Sequence, residues 1–134
     1  MKTLIFIIVV FSILIGLACF RDRTPEDLED TISKSDVLKR VNKLCMEMPK
    51  PDDFRFVEKH FGGNAILATL TFTYFSDKKE DEIELFYKKW AEKNGWEKLK
   101  EYQLNIQYRK GKQTIVIDFN SLSTKASISC EEPI

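Results

Sequence analysis

Histidine occurs once in this chain of 134 residues and cysteine three times, which leaves little material for a zinc cage or for a histidine paired with a nucleophile. Excess charge of either sign is missing as well. Twenty-one Lys and Arg against 21 Asp and Glu give a formal net charge of zero, without the basic footprint of a nucleic-acid binder. No G-x-S-x-G, glycine-rich phosphate loop, H-E-x-x-H or C-x-x-C occurs, so the usual templates for acyl transfer, phosphoryl transfer, zinc hydrolysis and dithiol chemistry are absent. No internal repeat or low-complexity stretch is visible, and the length leaves room for one ordinary domain. What remains is material for a core: 43% hydrophobic residues, 12% aromatic and 31% charged describe a folded domain with a solvated surface.

The longest hydrophobic stretch is at the start. Leu4 to Phe20 is apolar apart from Ser12 and Gly16, follows Lys2, and contains no charge. As a helix it would span roughly 25 Å, between the apolar stretch of a cleavable signal and the roughly 30 Å of a membrane span. Arg21 and Arg23 flank Asp22 beyond it, so the positive-inside bias is weak in either direction. The run Ile15-Gly16-Leu17-Ala18-Cys19 resembles the lipobox of bacterial lipoproteins, with Gly16 where Leu is usual. The resemblance implies cleavage before Cys19, a diacylglycerol thioether on its thiol, and acylation of the freed amine. An uncleaved membrane anchor and plain secretion are the competing readings of the same run. If Cys19 is lipidated, Cys45 and Cys130 remain as an even pair in an oxidising compartment, either bridged or as two separate buried thiols.

Beyond the leader (1–18), residues 19–35 read as a polar tether with one short helical turn at Thr24-Pro25-Glu26-Asp27, and residues 36–134 as a single domain. Val37, Leu38, Val41, Leu44, Cys45 and Met48 are spaced by three and four, which predicts an amphipathic helix capped by Ser35 or Asp36 and ended by Pro49-Lys50-Pro51. Phe54–Phe61 and Ala65–Phe75 are strand-like runs joined by Gly62-Gly63-Asn64, residues that tolerate positive φ in a hairpin turn. A second helix starts near Ser76-Asp77, buries Ile83, Phe86, Tyr87, Trp90 and Ala91, and stops at Asn94-Gly95. Leu99–Arg109, Thr114–Asn120 and Ala126–Cys130 read as three more strands, with a turn at Lys110-Gly111-Lys112. The expected class is α+β: a small antiparallel sheet in ββαβββ order with one helix packed on it, preceded by a signal or anchor helix and the short amphipathic helix.

His60 lies beside the hairpin turn and reads as a solvated strand-end residue, and the acidic cluster at Glu80-Asp81-Glu82 reads as a first helical turn rather than a calcium site. Most aromatics fall on inward periodicities. Tyr74, Tyr102 and Tyr108 are the exceptions worth following, because an outward tyrosine serves an interaction surface; Tyr74, Tyr108, Arg109, Lys110 and Lys112 together make the candidate surface. The expectation is a membrane-anchored, extracytoplasmic lipoprotein of the cell membrane or outer envelope, with no cofactor, no metal, no catalysis and no nucleic acid. It would act by binding a protein partner. An exported inhibitor or immunity-like protein that blocks an enzyme, and a single-pass protein that keeps its anchor, are the alternatives.

Overall fold

In the computed structural model the residues described are 25–102, 105–120 and 122–134. The leader and Cys19 lie outside them. Helix α1, Pro25–Ser33, occupies most of the expected tether. That expectation is corrected: Leu28 and Ile32, one helical turn apart, are buried in the core, so α1 is part of the domain. A two-residue apolar stripe is too short to stand out as periodic. Helix α2, Asp36–Glu47, is capped by Ser35, whose side chain accepts from the Leu38 N–H at 3.2 Å, and buries Leu38, Val41 and Cys45. Among the described residues no helix is long and apolar enough to cross a membrane.

Six strands form one antiparallel sheet: β1 Arg55–Phe61, β2 Leu67–Phe75, β3 Glu97–Tyr102, β4 Asn105–Lys110, β5 Gln113–Asn120 and β6 Lys125–Pro133. Their spatial order is β1-β2-β6-β5-β4-β3. The class is therefore α+β, with one strand more than expected. The run read as a single strand from Leu99 is a hairpin, in which β3 and β4 pair with Tyr102 opposite Asn105. The alternation of apolar residues continues across that reversal without Gly, Pro or Asp to mark it, so periodicity alone reads straight through. The β1–β2 connection also differs. No residue from 62 to 66 has positive φ; instead Asn64 Oδ1 accepts from the Ile66 and Leu67 N–H groups at 2.9 and 3.0 Å. Gly63 is required by contact: a Cβ there would lie 2.6 Å from the Leu67 carbonyl oxygen.

Strand alternation puts Ala68, Leu70, Phe72 and Tyr74 of β2 on one face, in register with Ala126, Ile128 and Cys130 of β6 and Ile115, Ile117 and Phe119 of β5. All are buried, and each fully buried aliphatic side chain contributes about 1.5–3 kcal/mol. All three helices cover this face. α2 is fixed by the Cys45–Cys130 disulfide, with Cα atoms 5.9 Å apart, and by Arg40, which donates Nη2–H and Nε–H to Glu132 at 2.8 and 3.0 Å. Helix α3, Glu80–Asn94, buries Ile83, Tyr87 and Ala91 and carries the chain from β2 across to β3 at the far edge. Gly95, at φ 75°, caps it in the left-handed conformation expected of Asn-Gly. Tyr87 Oη donates to the Pro49 carbonyl at 3.1 Å, which ties α3 to the end of α2.

Candidate functional site

Among the described residues, the same alternation leaves the opposite sheet face without a covering layer of helices. Across its middle run two cross-strand hydroxyl pairs, Thr71 with Ser129 at 2.8 Å and Thr73 with Ser127 at 3.4 Å. Glu58 and Asp118 continue the Thr73–Ser127 row outward, one on each side, while Glu131 sits in register between Thr69 and Thr114. The face is polar but tightly built, since Thr69 and Thr73 are buried.

Two shallow depressions open on it. One, about 740 Å³, is bordered by Glu58, His60, Thr73, Asp118, Lys125 and Ser127. Imidazole, carboxylate and hydroxyl are neighbours there, but Ser127 Oγ is turned to Thr73, and no described residue hydrogen-bonds to the His60 imidazole, so the geometry of a nucleophile–base pair is absent from this depression. The second, about 350 Å³, lies beside the β4–β5 hairpin and is lined by Gln107, Arg109, Lys112, Thr114 and Glu131, with Leu67 and Leu99 as apolar walls. Glu131 is the unusual group in it. Its carboxyl is half-buried, it makes no hydrogen bond or ion pair among the described residues, and burial pushes its pKa above the ordinary value. The depression is thus bordered by a carboxylate without a hydrogen-bond or ion-pair partner among the described residues, together with a guanidinium, an ammonium, an amide and a hydroxyl. Among the described residues no group of three or more His, Cys, Asp or Glu is placed to hold a metal ion.

The expected surface residues divide. Arg109 and Lys112 line the hairpin depression. Lys110, one position on, is exposed on the helix-covered side and donates to the Asn94 carbonyl at 2.8 Å, closing the end of α3. Tyr74 and Tyr108 are corrected: both are buried on the helix-covered face, because they share the parity of Phe72 and Ile106. Tyr74 stacks on Phe54 with ring centroids 5.1 Å apart, and burial pushes its phenol up to about 12. Cys45 and Cys130 are joined and fully buried. Glu131 escapes a sequence reading that ends the last strand at Cys130; β6 runs on to Pro133, and the signal that finds Glu131 is its shared parity with Ser127 and Ser129. No family model matches this chain, and no curated protein or solved structure matches it.

Proposed function

We propose that this chain is a small bacterial lipoprotein, lipidated at Cys19, that presents a single non-catalytic α+β domain outside the cytoplasmic membrane as a binding or accessory module. One observation carries the reading: with Cys45 and Cys130 bridged, Cys19 is the one thiol left over, and it stands at the end of a lipobox-like leader. A buried bridge favours an oxidising compartment, and a lone cysteine after Leu17-Ala18 favours lipid attachment. Binding falls to the uncovered sheet face, where Arg109, Lys112 and Glu131 meet a protein partner.

Intact mass spectrometry of membrane-extracted protein tests the export half. The expected species has lost residues 1–18, carries acyl mass at Cys19, and is short of two hydrogens for the bridge. Retention of Met1 with a free Cys19 thiol overturns it. The binding half is tested by affinity capture from envelope extract with the wild type and with Arg109→Glu/Lys112→Glu. A stoichiometric partner held by the first and lost by the second supports it, and equal recovery by both refutes it.

A further inference from the structure

Residues 20–24 are all that separates Cys19 from Pro25 at the start of α1. Fully extended they bridge at most about 20 Å, whereas a domain of this size is about 35 Å across. A chain anchored at Cys19, or through an uncleaved run ending at Phe20, therefore keeps the side that carries Pro25 close to the bilayer.

The course of α1 fixes that side. Arg40, one turn into α2, holds Glu132, which pairs with Ala68 of β2. α1 ends at Ser33, three positions before α2 begins, so its last turn lies toward the Ala68 end of the sheet. Glu29 of α1 meets Lys59 at 2.8 Å, and Lys59 pairs with Phe72, further along β2. Pro25 is about 6 Å further back along the helix, toward Tyr74, whose partner on β1 is Phe56. Exposed apolar neighbours stand at both ends of β2: Phe56 and Val57, at 60% and 36%, and Ile66 and Ile134, at 75% and 69%. The first pair lies at the end toward which the start of α1 points.

Phe56 is held in place there, with its ring 6.4 Å from Phe72 and 5.9 Å from Tyr74. The charges around it are matched: Arg55 lies 3.5 Å from Asp77, and Lys59 is paired with Glu29. What this corner offers a surface is therefore apolar contact rather than attraction to anionic lipid.

We propose that the Phe56–Val57 corner lies in the interfacial layer of the membrane that holds the anchor, with both side chains among the lipid headgroups. This depends on the anchored reading above and holds for either form of anchor. The Arg109–Lys112 hairpin stands at the Ala68 end, three strands and more from β1, so its depression is turned away from the bilayer and open to a partner.

Full-length protein extracted from membranes and reconstituted into phosphatidylcholine vesicles tests this, with a bimane label on Phe56→Cys, Val57→Cys or Ile66→Cys in separate preparations. Nitroxide-bearing lipids should quench most of the emission at positions 56 and 57, at high salt as at low, and leave position 66 bright. Adding Phe56→Glu to Val57→Cys should release its label from quenching while the protein stays with the vesicles. Bright labels at 56 and 57 on vesicle-bound protein, or equal quenching at 66, would overturn the proposal. So would a blue-shifted label that nitroxide lipids do not quench, which marks a second copy or another protein on the corner. Protein that fails to float with the vesicles and carries no anchor by mass sinks the anchored reading, and this proposal with it, a failure visible before any label is read.

Discussion

Removing the Cys45–Cys130 bridge should cost this domain a large part of its stability. The two cysteines are 85 positions apart. For a loop of that length the chain-entropy relation gives about 4.6 kcal/mol at 25 °C, against a total of about 5–15 kcal/mol for a domain of ordinary size. Two features of the structure keep the native side simple. Both sulfurs are buried, and the helix and strand they join are also held by Arg40 and Glu132, so Cys45→Ala/Cys130→Ala should still fold to the same arrangement. The effect therefore falls mainly on the unfolded chain. With about 2.1 cal/mol/K per residue over a domain of about 110 residues, a loss of that size lowers the melting temperature by about 20 °C. The stacked Trp90 and Trp96 rings, 5.5 Å apart, supply a fluorescence probe for urea titration. The midpoint should fall, and the slope should rise, because the unbridged chain exposes more surface when it unfolds. A stability loss below about 1 kcal/mol with an unchanged slope would refute the loop-closure reasoning.

Adjacent residues supply two opposite pH tests. Hydrogen bonding from Arg40 holds the Glu132 carboxyl below its ordinary range, so its contribution is complete above the unfolded value of about 4.3 and is lost as pH falls through the folded one. Glu132→Gln should flatten the acid limb of a plot of urea midpoint against pH; an unaltered limb would contradict the assignment. Glu131 is raised by desolvation, so its charged form is disfavoured in the native state above the folded pKa and the penalty vanishes at low pH. Glu131→Gln should accordingly be more stable than wild type at pH 7 and equal to it near pH 3, and equal stability at both would count against a desolvated carboxylate. At the β1–β2 connection, Gly63→Ala should destabilise by about 1–3 kcal/mol because a Cβ meets the Leu67 carbonyl, while Gly62→Ala should stay within about 0.5 kcal/mol in thermal melts.

Much of the architecture could be read from periodicity. The α2 stripe, the acidic start and Asn-Gly end of α3, and the alternation in β2 and β5 all correspond to what the chain does, because each repeats often enough to declare its period. Three features escaped for physical reasons. α1 has a single pair of apolar residues, and its burial comes from docking rather than from local preference. The β3–β4 reversal carries no turn residue, so the strand count came out one short. Tyr74 and Tyr108 were expected outside by residue type, although their parity with Leu70, Phe72 and Ile106 puts them in the core. Parity was the better guide there. It also recovers Glu131, which chemistry-based reading passes over as one more surface acid.

Glu131 and Glu132 show what divides the two faces. They are consecutive on β6, and the pleat sends them to opposite sides of the sheet. Glu132 meets a guanidinium and the Gln113 amide, and it joins α2 to the sheet. Glu131 meets neither, yet it is half-buried at a position where glutamine or threonine would fill the same space without the desolvation penalty. Glu132 thus ties a helix to the sheet, whereas Glu131 is left without a hydrogen-bond or ion-pair partner among the described residues, at the rim of the depression that Arg109 and Lys112 also line and where the proposed partner would bind. If Glu131→Gln gains stability while losing that partner, the two effects share a single cause, and the exposed sheet rather than the covered one is the working surface of the protein.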